Sequence, residues 1–147
     1  VEFPERVNYV GRLDKDSTGL LLLTNDGDLA NEIQRSRNNH EKEYHVRVNT
    51  DITEDFIKKM SEGVEILDTV TKPCKVKKTG TRNFSIILTQ GLNRQIRRMC
   101  DALHVRVVHL KRVRIMNIRL GSLRPGEFRT LTRGEEQELR RLVQKRS

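Results

Sequence analysis

The chain has 147 residues, of which 35% are hydrophobic and 33% are charged. This length supports one ordinary domain with a core of its own, and we predict a single domain over residues 1–147. No apolar run approaches the length of a membrane span and no secretory pattern opens the chain, so a soluble, cytoplasmic protein without a membrane partner is expected.

The formal net charge of +9 favours a nucleic-acid partner, because binding of a polyanion by clustered Lys and Arg releases counterions. Between residues 92 and 120 a run of Arg and Lys is opposed only by Asp101. Aromatic residues make up 4% of the chain and tryptophan is absent, which argues against an extended platform for stacking bases. Cys74, Cys100 and the histidines lack the spacing of a zinc site, so neither a metal nor a disulfide is expected.

The first notable feature along the chain is Asp14, which precedes a strongly apolar run at residues 20–24. The run predicts a central strand buried on both faces, with Asp14 on the loop before it. A carboxylate between Arg12 and a buried strand can be held by packing and tuned by charge, as a nucleophile or base requires. The alternative is a surface turn carrying Asp14 and Asp16, and this stretch by itself favours that alternative.

Helix and strand patterns alternate through the middle of the chain. Asp28 is predicted to cap a short helix, and Thr53 to cap a second helix that ends at Gly63. Residues 41–48 alternate as a half-buried strand does. Tyr44 lies on the apolar side of that strand, where a plain core tyrosine is the simplest interpretation.

Strand patterns dominate the later part of the chain, at residues 64–67, 71–78, 83–89 and 105–120. Pro73 marks the second of these as an edge strand or an irregular one. Between the last two we predict a helix, because four apolar residues recur at helical spacing: Ile96, Met99, Cys100 and Leu103.

The C-terminal residues predict a closing strand and a final helix. Residues 128–131 have the pattern of a short strand. Thr132 and Glu135 have the spacing of a capping box, which places the start of a helix at this point.

Three segments of the sequence together match one family. Residues 11–27 contain Gly-Arg-Leu-Asp and, four residues later, Gly-Leu-Leu-Leu-Leu-Thr-Asn-Asp-Gly, residues 42–44 are Lys-Glu-Tyr, and residues 90–99 are Gln-Gly-Leu-Asn-Arg-Gln-Ile-Arg-Arg-Met. These segments resemble the motifs of the ribosomal RNA pseudouridine synthases of the small-subunit synthase type. The sequences of residues 40–44 and 112–117 are most similar to those of family members that act on 23S ribosomal RNA.

The resemblance implies an α+β catalytic domain, with a mixed, largely antiparallel sheet, packed helices and a basic RNA cleft. The implied reaction is the isomerisation of a specific uridine to pseudouridine in ribosomal RNA, without cofactor or metal, on a base flipped out of its stack. A monomer is expected, and transfer RNA stays open as a further substrate. Family members usually carry a small S4-type RNA-binding domain before this region, so an N-terminally truncated catalytic domain is expected.

The resemblance also implies roles for individual residues. Asp14 would do the covalent or acid–base work and Tyr44 would stack on the base. Arg97 would pair with the aspartate, and Leu110 would pack beneath the base. Further residues are expected to contact RNA, with Arg12 filling the gap left by the flipped base: Arg12, Lys42, Arg94, Gln95, Lys111, Arg112 and Arg114.

Two alternatives stay open at this point. A non-catalytic RNA-binding or ribosome-assembly module would need only the basic residues, so the presence of Asp14, Tyr44 and Arg97 argues against it. A hydrolase acting on glycosidic bonds would need two working acids, with Asp16 as the second. A basic cleft, however, favours a polyanion over a neutral sugar.

Overall fold

The computed structural model describes residues 8–10, 13–35 and 40–144. Its elements combine strands and helices, as the predicted α+β class requires. In chain order they are β1 (Asn8–Val10), β2 (Thr18–Gly19), β3 (Leu22–Thr24), α1 (Gly27–Arg35), β4 (Lys42–Val48), α2 (Glu54–Glu62), β5 (Glu65–Ile66), β6 (Thr69–Val70), β7 (Lys75–Gly80), β8 (Asn83–Leu88), α3 (Gln95–Ala102), β9 (Val107–Ile115), β10 (Ile118–Arg119) and α4 (Arg133–Gln144).

The centre of the fold is a sheet in which β10, β9, β4, β8 and β7 lie side by side, each antiparallel to its neighbour. β2 joins the sheet as a parallel partner of β9. The predicted mixed, largely antiparallel sheet is therefore confirmed. β7 lies at an edge, which agrees with the prediction made from Pro73.

Side chains alternate along each strand, and those on one face of this sheet are buried and form the core. Phe84, Ile86 and Leu88 of β8 are buried on that face, together with Val46 and Val48 of β4. α2 and α3 cover the face with their apolar stripes, and the stripe of α3 is the one predicted from the sequence. The buried residues that they contribute include Phe56, Met60, Ile96 and Met99.

A second buried cluster joins α1 and α4 to β9 and β10, with residues such as Ile33, Ile118 and Leu139. The capping box at the start of α4 is confirmed. The Glu135 N–H donates to Thr132 Oγ1 at 3.1 Å, and the Thr132 N–H donates to Glu135 Oε1 at 2.9 Å. These reciprocal bonds satisfy backbone donors that the first turn of a helix leaves without a partner.

The helix caps agree with the sequence in one case and differ in another. Thr53 caps α2 by accepting a backbone hydrogen bond at 3.0 Å, and Gly63 ends it at a φ of 129°, as predicted. At α1 the capping oxygen belongs to Asp26, which accepts from the Leu29 N–H at 3.1 Å. Asp28 instead lies in the first turn, where a negative charge is favoured by the helix dipole.

The prediction of a central strand at residues 20–24 is wrong. β3 begins only at Leu22 and pairs with β1 outside the main sheet. Leu21 and Leu23 are 39% and 37% exposed, so one side of the run is not buried. A run of leucines fits any strand with apolar surroundings, and it does not specify which strand will be the partner.

The predicted strand at residues 128–131 is also absent, since these residues have no regular structure. Phe128 is 51% exposed, whereas a strand that closes a core would bury it. Arg129 makes two hydrogen bonds to the Glu135 carboxylate, at 2.7 and 2.8 Å. The segment therefore contacts the start of α4 instead of a neighbouring strand.

Candidate active site

A cavity of about 670 Å³ lies between the loop before β2, the start of α3 and the sheet. Its volume is typical of sites that hold small organic ligands. Most of the residues predicted to form the site line this cavity: Asp14, Lys42, Tyr44, Arg94, Gln95, Leu110 and Arg112.

The sheet supplies the apolar wall of the cavity. Tyr44 is half-buried and packs on the main core, but it also faces the cavity, so it is more than a plain core residue. Leu110 is buried on the adjacent strand and faces the same side of the sheet. A flat ring beside an aliphatic side chain can hold a planar ligand by stacking and packing.

Arg112 lies beneath this wall and is only 2% exposed. Its Nε donates to the Leu20 carbonyl at 2.9 Å, and its guanidinium also interacts with the Tyr44 hydroxyl. Burial lowers the pKa of Arg112, while Tyr44 and Asp14 oppose that shift. The predicted phosphate contact does not fit this covered position, because the guanidinium is used to join β2 and Tyr44.

Gly19 makes this junction possible. Its φ is 117°, and a Cβ at this position would lie 2.2 Å from the Arg112 carbonyl oxygen. Only glycine tolerates such a close approach of two backbones. The loop that carries Asp14 is thereby joined to the strand that carries Leu110.

Asp14 is on the loop before β2, and its side chain is 40% exposed. The Ser17 N–H donates to the Asp14 carbonyl at 3.0 Å, which closes a turn in this loop. Arg94 lies near its carboxylate, with 3.9 Å between Nη1 and Oδ2. This distance permits attraction but exceeds that of a hydrogen bond.

Asp16 is the more tightly bound of the two loop aspartates. Arg94 donates two hydrogen bonds to its carboxylate, both at 2.8 Å. Such fork-to-fork geometry is the strongest form of an arginine–carboxylate pair. The hydrogen bonds from Arg94 lower the pKa of Asp16 to about 2, with further help from the charge of Arg97.

Arg97 contacts the loop, but at a different residue from the one predicted. Its Nη2 donates to the Asp16 carbonyl at 2.7 Å, and its Nε lies 3.4 Å from Asp16 Oδ1. Arg97 is not among the residues that line the cavity. Residues three apart on one helical face reach the same neighbour, so the motif could not specify which arginine meets which aspartate.

A network of glutamine side chains supports the loop that leads into α3, and no pattern in the sequence predicts it. The Lys72 N–H and the Gln95 side-chain amide both donate to Gln90 Oε1, at 2.9 and 3.2 Å. The Leu92 N–H donates to Gln95 Oε1 at 3.2 Å.

Arg94 adopts a left-handed backbone, with a φ of 48°, directly before the helix. Backbones of this kind are uncommon outside glycine and concentrate at functional sites.

Comparison with known proteins identifies the family. A model described as RNA pseudouridylate synthase matches residues 2–102. The chain belongs to this family. The family indicated by the sequence motifs is therefore confirmed.

The chain is similar to curated members of the family along its whole length. It is 54% identical to the dual-specificity RNA pseudouridine synthase RluF of Escherichia coli (strain K12), over all of this chain and 51% of that protein. It is 35% identical to the ribosomal large subunit pseudouridine synthase B of Bacillus subtilis (strain 168), over 95% of this chain and 60% of that protein. The chain thus spans about half the length of the first of these relatives.

A solved structure supports the same family. The crystal structure of a pseudouridylate synthase matches with a TM-score of 0.85 and 34% identity, over 90% of this chain and 59% of that one. Among the described residues of this family member, no helix is long and apolar enough to cross a membrane.

Two residues predicted to contact RNA, Lys111 and Arg114, lie away from the cavity. Lys111 is paired in register with His45, on the face of the sheet opposite Tyr44. Arg114 is nearly buried and contacts both Glu41 and Glu43 at 3.1 Å, so its charge is used within the protein. Arg12 lies outside the described residues.

Proposed function

We propose that this chain isomerises a specific uridine to pseudouridine in 23S ribosomal RNA, as the catalytic domain of an RNA pseudouridine synthase. The observation that carries the proposal is the convergence of Asp14, Tyr44 and Leu110 on one cavity in a member of this family. Two relatives are named an RNA pseudouridine synthase and a ribosomal large subunit pseudouridine synthase, and these names support 23S ribosomal RNA as the substrate. The protein is proposed to act as a cytoplasmic monomer, without metal or cofactor.

The reaction breaks the bond between N1 of uracil and C1′ of the ribose, turns the base, and joins C5 to C1′. The C5 hydrogen leaves as a proton and N1 gains one, so no oxidant or reductant is needed. The chain must therefore supply a nucleophile or base and a surface that holds the loose base.

Asp14 suits the first task better than Asp16 does. Asp14 lines the cavity, whereas Asp16 does not line it and is held by two arginines. By holding the neighbouring carboxylate, Arg94 fixes the loop and still places positive charge 3.9 Å from Asp14. Asp14 therefore has the access that attack on the ribose or removal of its proton requires.

The cavity wall suits the second task. Tyr44 would stack on the released uracil, and Leu110 would pack against it, so that the base turns without leaving the site. The target uridine must first leave its stack in the RNA, at a cost of a few kcal/mol. Lys42 and Gln95 line the cavity and are proposed to contact the RNA there, and Arg12 to fill the gap left by the base.

The structure weakens the hydrolase alternative. A glycosidase of the usual kind needs a second carboxylic acid that keeps its proton near neutral pH. The pKa of Asp16 is held at about 2, so this side chain is ionised throughout the physiological range. Family membership likewise favours an enzyme over a module that only binds RNA.

The test is release of tritium from C5-labelled uridine in a 23S ribosomal RNA transcript. The parent chain is expected to release tritium, and Asp14→Asn is expected to release none, because the amide is neither a nucleophile nor a base. Asp28→Asn is the matched control, since it removes the same charge from an exposed position on α1. Its activity should equal that of the parent.

Circular dichroism and RNA binding should be unchanged in the Asp14→Asn variant, which would separate chemistry from folding. Isomerisation by this variant at the parental rate would refute the role of Asp14. Absence of release by the parent, with RNA binding intact, would refute the proposal that this chain alone is the catalyst.

A further inference from the structure

The face of the sheet opposite the cavity is rich in basic residues. Side chains of β4 alternate, so Tyr44 and Val46 face the cavity and the core, whereas His45 and Arg47 face away from them. Both outward-facing residues are exposed. The alternate positions of β8 are half-buried instead of buried, so the described helices do not cover this side as they cover the core side.

Strand register shows which side chains share this face. His45 is paired with Ser85 on one side and with Lys111 on the other, and Ser85 is paired with Lys77. Directly paired residues of antiparallel strands project from the same face. By the same argument Lys75 of β7 and His109 of β9 belong to it. We name this surface the basic sheet face, and it consists of His45, Arg47, Lys75, Lys77, His109 and Lys111.

Among the described strands of this sheet, acidic residues do not balance this charge. Glu43 projects from the same face, but Arg114 contacts it at 3.1 Å and Arg119 at 3.9 Å. Glu41 also contacts Arg114, at 3.1 Å. These carboxylates are thus matched by Arg114 and Arg119, which are not counted in the basic sheet face, and its own six basic residues are left to give a positive potential.

We propose that the basic sheet face binds the phosphate backbone of RNA, as a contact surface separate from the catalytic cavity. The choice of RNA as partner rests on the proposed function. Neighbouring strands are about 4.8 Å apart, so the row from Lys77 to Lys111 crosses about 14 Å. Cations spread over such a width can contact several successive phosphates, which position RNA without reading its sequence.

The chemistry of the face favours a polyanion over an apolar partner. Lys75, Lys77 and Arg47 are exposed, and Ile87 is a half-buried apolar residue between charged neighbours. A protein-binding surface usually has a core depleted of charge, with aromatic residues that act as anchors. The basic sheet face has the opposite composition, and it extends the protein's electrostatic attraction beyond the cavity.

The experiment compares two double variants of the whole chain. Arg47→Ala with Lys77→Ala removes two charges from the basic sheet face. Lys58→Ala with Lys59→Ala removes two charges from α2, which covers the other side of the sheet. Binding to a 23S ribosomal RNA transcript and to poly(U) is measured from 50 to 200 mM salt.

Each lost phosphate contact lowers the slope of log K against log salt by about 0.7 to 0.9. The basic-face variant is therefore expected to lower the slope by about 1.5 and to weaken binding at low salt about tenfold. The α2 variant should retain the parental slope. Tritium release at saturating RNA should be the same in both variants, because neither pair lies in the cavity.

Equal binding by the two variants would overturn the proposal, whether both matched the parent or both were equally weakened. An acidic protein as the true partner would give the first of these outcomes. Poly(U) keeps the test independent of the proposed function, because its phosphates report on the face even if the 23S transcript is not isomerised. Thermal unfolding of both variants verifies that the fold is intact.

Discussion

Asp14 and Asp16 lie two residues apart on one loop, yet their surroundings give them different chemistry. Asp16 is held by a two-pronged hydrogen bond from Arg94 and by a backbone contact from Arg97. The Asp14 carboxylate lies 3.9 Å from Arg94, beyond hydrogen-bond distance, and faces the cavity. One carboxylate thus fixes the loop, and the other remains available for reaction.

The pKa of Asp16 provides a test of this division. The Asp16 carboxyl group should titrate near pH 2, below its ordinary value of 3.8, because Arg94 stabilises the ionised form. Since the folded pKa is lower than the unfolded one, this pair stabilises the fold above about pH 4, and the contribution is lost as the pH falls towards 2. Carbon-detected NMR of the side-chain carboxyls would measure the titration.

Arg94→Gln should raise the pKa of Asp16 towards its ordinary value, because the charged donors are lost. Arg98→Gln is the matched control, since Arg98 lies one turn further along, on α3, and donates to Asn93 instead. Titration of Asp16 near pH 4 in the parent would contradict the structure.

The short strand β2 determines where the loop that carries Asp14 lies. It pairs with β9 in parallel, with Gly19 opposite Arg112, and the Leu20 N–H then donates to the Arg112 carbonyl at 2.8 Å. The Arg112 side chain returns a hydrogen bond to Leu20. Backbone and side chain together hold this two-residue strand, which is too short to be stable by itself.

Gly19→Ala should therefore damage both stability and activity. The new methyl group would collide with the Arg112 backbone, at 2.2 Å from the carbonyl oxygen, at a φ that favours glycine. We expect a loss of roughly 1–3 kcal/mol in the free energy of unfolding, measured by urea denaturation. Tritium release should also fall, because the Asp14 loop would shift.

Gly27→Ala is the control for this change, since a Cβ there would meet nothing within 4 Å. It should leave stability unchanged or raise it slightly, because alanine is the better helix former. Similar stability losses in the two variants would show that the docking of β2 has no special importance.

The whole molecule depends on the cluster between the sheet, α2 and α3, and Cys100 lies within that cluster. Burial raises the pKa of the Cys100 thiol to about 12 and that of Cys74 to about 11. Both thiols therefore remain protonated near neutral pH.

Cys100 should react with a thiol reagent only when the core opens. In a Cys74→Ser background, its labelling at pH 8 is expected to be slow and to accelerate with urea as global unfolding does. Lys58→Cys in a chain without the native cysteines provides an exposed reference thiol. Labelling of Cys100 as fast as this reference in native buffer would show that the core is not closed around it.

The sequence by itself determined the features that depend on neighbouring residues. The caps at Thr53 and Thr132, the end of α2 at Gly63 and the apolar stripe of α3 each depend on groups within a few positions of one another. Their interactions are therefore visible in the order of the residues. The family was likewise evident from three short motifs, because their residue types and spacing are specific in combination.

Only the tertiary structure decided which distant groups meet. The partner of β3, the pairing of Arg94 with Asp16, and the choice of Arg112 over Lys111 for the cavity side all depend on how remote strands and loops align. The irregularity in the β4–β9 pairing at Tyr44 shifts the register, and no local pattern specifies it. Periodicity shows that a strand has two faces, but the face that meets the cavity is chosen by packing of the complete sheet.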